Sequence, residues 1–227
     1  EQFENDFNQK NFDSPIIKNM WSLIEEFNIS LKIVQDLLTG IKSDLKNKVK
    51  LNSKKDLLIY SYRVAGTVGL MMAKILKVDK KISLKSAIDL GIAMQLTNIS
   101  RDVIEDSKNN RFYINENFEE ISSTLNLADI FYENSFYAIK DIPISFRFSI
   151  LVARRIYRKI GYKILDKKSL EDYQNSGKIY VSNTEKVLET FFSIFDLIKL
   201  SFSYKRGDQI QHDHNLINEE INLDERI

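Results

Sequence analysis

Along this chain apolar residues recur at the three- and four-residue intervals of an α-helix, in long runs parted by short polar breaks. Asp13-Ser14-Pro15 has the form of a helix start with proline in the first turn, and Ile16, Met20, Leu23, Ile24 and Phe27 follow on one face. A second helix carries Leu31, Val34, Leu37 and Leu38, ending near Gly40 or running on through Asp44. After a Lys- and Asn-rich loop, a long helix opens at Asp56 and runs through Met72 to about Leu76. Ser83 is placed to cap the next, which reaches about Glu105, and residues 127–140, 144–165 and 184–202 complete the set. From 204 onward the sequence is polar with little apolar periodicity, which predicts a frayed tail.

Seven glycines, two prolines and few alternating β-branched runs leave little room for strands, so the chain is read as all-α. With 227 residues, 43% of them hydrophobic, it can bury a sizeable core as one domain or at most two. The absence of cysteine removes disulfides and thiolate chemistry. A formal charge of +1 argues against nucleic acid as a partner held by bulk electrostatics. Lys46, Lys48, Lys50, Lys54 and Lys55 form a local basic run, read either as a solvated loop or as a contact with a membrane surface. No segment is long and apolar enough to cross a bilayer, and the expected location is cytoplasmic. The first residue is Glu1 rather than Met, so the chain is expected to be a fragment or a processed form.

One segment, Asp89 to Asp106, carries candidate chemistry. With about 100° per residue, Gly91, Gln95, Asn98, Asp102 and Asp106 fall within roughly 80° of one another on one helix face. Ile92, Met94, Leu96, Ile99, Val103 and Ile104 cover the rest of the circumference, the pattern of a buried helix. Carboxylates brought together in a partly dry site repel unless a cation neutralises them. Hard oxygen donors of this kind suit Mg²⁺, which keeps several waters and binds through one or two carboxylates and the phosphates of a substrate. The plainer alternative is a solvated acidic face with an Arg101–Glu105 ion pair four residues apart.

The helix over 56–76 holds a second run, Tyr60-Ser61-Tyr62-Arg63-Val64-Ala65-Gly66-Thr67-Val68-Gly69. A glycine inside a helix costs about 1 kcal/mol relative to alanine, so two of them need a reason. Close packing against another helix is one; a floor for a large ligand is the other.

Tyr60 to Gly69, Leu90 to Asp106 and Asn110-Arg111-Phe112-Tyr113 together closely resemble the squalene and phytoene synthase family. The spacing of Ile142-Pro143, Arg147, Ala153, Tyr157 and Gly177 to Ser182 extends the resemblance over nearly all of the chain except the tail. The Val-Ala-Gly-Thr-Val-Gly and Gln-Leu-Thr-Asn-Ile runs are most similar to bacterial phytoene synthases.

The resemblance implies an isoprenoid synthase helical bundle with a central cavity over residues 1–203, without its first helices, followed by the polar tail 204–227. It implies an Mg²⁺-dependent prenyltransferase, with Mn²⁺ as a substitute, that joins two geranylgeranyl diphosphates head to head. The product is phytoene, of carotenoid biosynthesis, formed through prephytoene diphosphate. Carried over residue by residue, Asp102, Asp106, Arg101 and Tyr60 resemble catalytic positions, and Asn98, Asp102 and Asp106 metal-binding ones. Val64, Val68, Gly69, Gln95, Asn98, Tyr157 and Lys178 resemble substrate contacts. Tyr60 and Tyr157 also read as core aromatics, and Lys178, where the family often has arginine, as a surface charge.

Several positions depart from the family pattern. Its first acidic motif has no counterpart in residues 1–56, where Glu25-Glu26, Asp36 and Asp44 align with later helices, so this piece alone is expected to be inactive. Ser100 stands for an apolar residue, Asn110 where glycine is frequent and Asn115 where proline usually follows. The competing expectations are squalene or dehydrosqualene synthesis from farnesyl diphosphate, and a non-catalytic binding or assembly module. A lipid product makes peripheral association with the inner membrane an expectation, with Phe191 to Ile198 as an interfacial helix. Such a segment is more often core. The sequence leaves the oligomeric state open.

Overall fold

The structure, a computed structural model, describes residues 2–202 and 212–227. It opens with α1 (Gln2–Asn8), α2 (Pro15–Glu26) and α3 (Leu31–Ser43). Pro15 lies in the first turn of α2, where its missing N–H is no loss. Ile17, Trp21 and Ile24 face inward, and the Trp21 indole N–H donates to the Phe7 carbonyl at 3.0 Å, tying α1 to α2.

Next, α4 (Lys54–Ser61) begins two residues before the expected Asp56 because the Ser53 hydroxyl caps it, accepting from the Asp56 N–H at 3.1 Å. The helix expected to run unbroken to 76 contains a π turn, Tyr62–Gly66, before it continues as α5 (Thr67–Ile75). π turns of this kind occur mostly as single inserts within α-helices. Tyr62 is fully buried and its hydroxyl donates to Asp36 on α3 at 3.0 Å.

At the centre lies α6 (Lys81–Lys108), about 42 Å long at 1.5 Å per residue. Leu84, Ile88, Ile92, Leu96, Ile99 and Val103 are buried along it, against α5, α7 (Phe118–Phe136) and α8 (Ile144–Leu165). Ser83 does not cap α6. It lies inside the first turn, and its hydroxyl donates to Asp141 at 2.5 Å. The helix expected from 127 starts at Phe118, since the Asn117 side chain caps it by accepting from the Glu120 N–H at 2.8 Å. A short α9 (Leu170–Asn175) and α10 (Asn183–Phe202) follow.

A two-residue parallel pair, β1 (Val49–Lys50) and β2 (Arg111–Phe112), sets Val49 opposite Arg111 and Lys50 opposite Phe112. It anchors the Lys-rich loop to the C-terminal end of α6, with Val49 buried. Asn110 stands just ahead of the pair at φ +58°, the left-handed region that asparagine tolerates better than most residues. That is the conformation for which a glycine is the common choice.

Two expectations are corrected. Residues 204–211 of the expected tail lie outside the described residues, but 212–227 are not frayed. There α11 (His212–Asn218) and the segment after it dock on the bundle with Ile217, Ile221 and Leu223 buried. Ion pairs ring that apolar seam: Asp213 with Lys54, Glu219 with Lys55, Glu220 with Arg63, and Arg226 with Asp36. His214 pairs with Asp89 inside the bundle at 2.6 Å. Periodicity failed here because the buried residues are few and widely spaced.

The core reading of α10 is also corrected. Ser193 and Leu200 are buried, whereas Phe191, Phe192, Ile194, Phe195 and Ile198 are 42–55% exposed. Among the described residues no helix is long and apolar enough to cross a membrane.

Candidate functional site

The π turn and α5 cross α6 at a contact that only glycines allow. A Cβ on Gly69 would lie 2.2 Å from the Ala87 carbonyl oxygen, and one on Gly91 would lie 2.3 Å from that of Ala65. Both glycines also line a cavity of about 460 Å³. The two readings of the glycines, helix packing and ligand floor, are therefore one geometry: the backbones touch, and the smooth crossing forms part of a wall.

That cavity is apolar. Val64 and Val68 line one side, Leu90 and Met94 of α6 another, and Ile139, Ile150 and Ala153 close it. The hydroxyls of Ser86 and Ser135 in its wall donate to the carbonyls of Ile82 and Tyr132, both at 2.9 Å, so they offer no free acid to its contents. Val68 is 45% exposed, so the cavity opens on that side.

Beyond Met94 the same helix turns polar. Gln95, Asn98, Asp102 and Asp106 rise from the cavity end toward the C-terminus of α6, all of them half-buried. The Asn98 side-chain oxygen is buried and, among the described residues, has no hydrogen-bond partner. An orphaned acceptor of this kind costs free energy unless something occupies the space before it.

Asp102 is heavily engaged. Arg101 donates to both its oxygens, Nε to Oδ1 at 2.9 Å and Nη2 to Oδ2 at 2.5 Å, and Lys178 Nζ lies 3.3 Å from Oδ1. The expected Arg101–Glu105 pair is replaced by this one, and Glu105 pairs with Lys178 at 2.9 Å instead. Burial works to raise the Asp102 pKa, but the Arg101 bonds and charge, aided by Lys178, outweigh it, so the carboxyl sits below the ordinary range.

Asp106 differs. Among the described residues it has no ion-pair partner, and burial together with the charge of Asp102 raises its pKa to about 6; Arg111 opposes the shift. Two carboxylates one turn apart are thus held unequally, one compensated and one not.

The remaining candidates fall in several places. Tyr60 is buried and does not line the cavity. Its hydroxyl donates to Asp44 Oδ2 at 2.9 Å, and its ring stacks on Tyr113 at 4.6 Å, matching its reading as a core aromatic. Burial raises the pKa of both tyrosines well above the ordinary value. Tyr157 is half-buried on α8. Lys178 stands on the segment after α9, behind Gly177 at φ +63°, a conformation that favours glycine. Buried Ile179 and Val181 pin that segment down.

Sequence reasoning gave no role to Asp44, Tyr113, Arg111 or Tyr173. Asp44, just past the end of α3, accepts from Tyr113 at 2.8 Å as well as from Tyr60, and its charge reaches Asp106. The Tyr173 hydroxyl donates to the Arg101 carbonyl at 2.6 Å and that of Ser100 at 3.1 Å, locking α9 onto α6 beneath the charged end. Of these, only Arg111 and Tyr113 carried a sequence signal, as part of a quoted motif.

The donor set fits a hard divalent cation. It comprises the orphaned oxygen of Asn98, the uncompensated carboxylate of Asp106 and the carboxylate of Asp102. Among the described residues no three His, Cys, Asp or Glu form a closed cage. An open set with few protein ligands is what Mg²⁺ accepts when water and phosphate oxygens complete its shell.

A model of the family described as squalene/phytoene synthase matches residues 1–120. The chain is 36% identical over 147 residues to a 15-cis-phytoene synthase of Paracoccus sp., covering 57% of this chain and 48% of that protein. To the chloroplastic phytoene synthase 2 of Solanum lycopersicum it is 30% identical over 216 residues, covering 82% of this chain and 67% of that one. The crystal structure of a dehydrosqualene synthase in complex with ligand superposes with a TM-score of 0.66 at 28% identity, covering 86% of this chain and 75% of that chain. The chain spans about half the length of the bacterial relatives it matches.

Proposed function

The chain belongs to the squalene/phytoene synthase family and has its isoprenoid synthase helical fold, and from that premise we propose that it acts on prenyl diphosphates. The reaction we propose is the head-to-head joining of two geranylgeranyl diphosphates to phytoene, through prephytoene diphosphate. The observation that carries this reading is the single helix α6, which runs from an apolar cavity wall at Gly91 and Met94 into a polar end at Asn98, Asp102 and Asp106. An amphiphile with a hydrocarbon tail and a diphosphate head matches both ends.

In this reading Asn98, Asp102 and Asp106 hold Mg²⁺, or Mn²⁺ in its place. When bound, the metal supplies Lewis acidity to the charge that grows on the departing diphosphate. Arg101, Arg111 and Lys178 bind and orient diphosphate oxygens, and the planar fork of Arg101 suits two of them at once. The apolar wall excludes water from the allylic cation left behind, while Ser86 and Ser135 keep their protons on backbone carbonyls. Tyr60 and Tyr113 act from behind, fixing Asp44 and the loop that carries Arg111.

The test is incubation of the complete gene product with geranylgeranyl diphosphate and Mg²⁺, with and without chelator, followed by mass analysis of extracted hydrocarbons. A chelator-sensitive C40 hydrocarbon is expected. A C30 hydrocarbon from farnesyl diphosphate would move the assignment to dehydrosqualene or squalene synthesis, the reading that the dehydrosqualene synthase likeness favours. No product from either would favour a binding module.

Peripheral membrane association is part of the same proposal. The exposed phenylalanines of α10 suit the interfacial layer of a bilayer. Flotation with liposomes checks it: recovery should drop when Phe191, Phe192 and Phe195 are changed to Ser, and unchanged recovery would contradict it.

A further inference from the structure

The two aspartates of the site are compensated by opposite strategies. Both oxygens of Asp102 already accept from cations of this chain, Arg101 at 2.9 and 2.5 Å and Lys178 at 3.3 Å. Asp106, one turn on, has no ion-pair partner among the described residues, and the Asn98 oxygen, one turn before Asp102, is an orphan among them too. A divalent cation arriving alone would meet an open donor one turn to either side of Asp102, Asn98 before it or Asp106 after it. It would also meet two positive charges on Asp102, with Arg101 and Asp102 only about 20% exposed and therefore poorly screened.

Resting on the reading of this site as one for metal and diphosphate, we propose that Arg101 and Lys178 are placeholder counter-ions that couple the two ligands. While the site is empty they neutralise Asp102. A diphosphate draws them to its own oxygens, which frees Asp102 for the metal. The metal in turn removes Asp102 as their competitor and leaves both cations for the diphosphate. Each ligand therefore strengthens the other, and by linkage the factor is the same in both directions.

The two cations differ in how easily they let go. Arg101 is fixed on α6, whose neighbouring carbonyls are held by Tyr173. Lys178 projects from the segment after α9 with 58% of its side chain exposed, bridging Asp102 and Glu105. It is the movable half of the device. A lysine does this better than an arginine would, since a single ammonium can exchange one carboxylate for a phosphate without breaking a paired fork.

Calorimetry on the complete protein tests this, with Mg²⁺ and inorganic pyrophosphate as probes and their complexation in buffer measured as a separate leg of the cycle. In the native protein, pyrophosphate should tighten Mg²⁺ binding by about tenfold or more, within the usual range of about 5–150-fold for coupled ligands. In Lys178→Gln, Mg²⁺ alone should bind several-fold tighter than to the native protein, metal-free pyrophosphate should bind more weakly, and the mutual enhancement should shrink. The exposed position of Lys178 leaves the variant folded, which its melting curve will verify. If Lys178→Gln weakens pyrophosphate but leaves Mg²⁺ alone unchanged, Lys178 is only a diphosphate contact and the proposal is overturned. If the native protein binds both probes independently, the coupling is overturned while the site stands. If it binds neither, the reading of the site falls with it.

Discussion

Up to Met94, α6 is shaped by contact; from Gln95 on, it is shaped by charge. The first half meets the π turn and α5 backbone to backbone at Gly69 and Gly91 and lines an apolar cavity whose Ser86 and Ser135 hydroxyls are satisfied within their own helices. The second half carries Asn98, Asp102 and Asp106, with Arg101, Arg111 and Lys178 about them; among the described residues the buried Asn98 Oδ1 and Ser100 Oγ have no hydrogen-bond partner and Asp106 has no ion-pair partner. The charged half holds groups whose best partners are absent, as expected where stability is given up for function.

If that contrast is correct, substitutions in the two halves fail in different ways. The largest effect belongs to Asp102→Ala, which should lower product formation about 10²–10³-fold, the scale of losing one electrostatic contact to a developing charge. Its circular dichroism and melting temperature should stay near native. Normal turnover would remove Asp102 from the metal site.

Gly91→Ala should do the reverse. Its added Cβ would stand 2.3 Å from the Ala65 carbonyl oxygen, so the helices must part, at about 2–3 kcal/mol or roughly 5–10 °C in melting temperature. Gly161→Ala is the control, since its Cβ would be 3.3 Å from a flexible Leu125 methyl and should matter far less.

A smaller and opposite change is expected at Asp106. Its pKa is about 6 in the folded protein, against an ordinary 3.8. Between those values the folded state holds a proton that the unfolded state has released, so stability falls as pH rises from about 4 to 6 and stays lower above that window. Asp106→Asn removes the penalty. In chelator it should melt roughly 2–4 °C above the native protein at pH 7.5, with the gap closing near pH 4. A gap that widened at low pH would contradict the assignment. Smallest of all, Lys178→Gln should move the melting temperature by no more than about 1 °C, because exposed ion pairs contribute little; a loss of several degrees would make Lys178 structural.

The helices and the functional stripe were legible because both rest on one periodicity. Residues 144–165 and the polar face from Gly91 to Asp106 needed only helical spacing to be seen. What escaped has specific causes. The π turn at Tyr62–Gly66 leaves apolar periodicity intact and is set by tertiary crossings. Asp44 joins the site through two tyrosine hydroxyls far away in sequence, and nothing near Asp44 itself signals that. Tyr60 resembles a catalytic position of the family, and here its hydroxyl donates to Asp44, a contact that local periodicity does not signal. The docked segment 212–227 is held by scattered apolar residues within a polar sequence, where composition misleads.

The most direct test of the central claim is a crystal structure of the complete protein with Mg²⁺ and a non-hydrolysable geranylgeranyl thiodiphosphate. The hydrocarbon chain is expected in the cavity between Val64, Gly69, Gly91 and Met94, and the thiodiphosphate beside Asn98, Asp102 and Asp106 with Lys178 drawn off Asp102. A chain lying elsewhere, or a head group remote from those three residues, would contradict it.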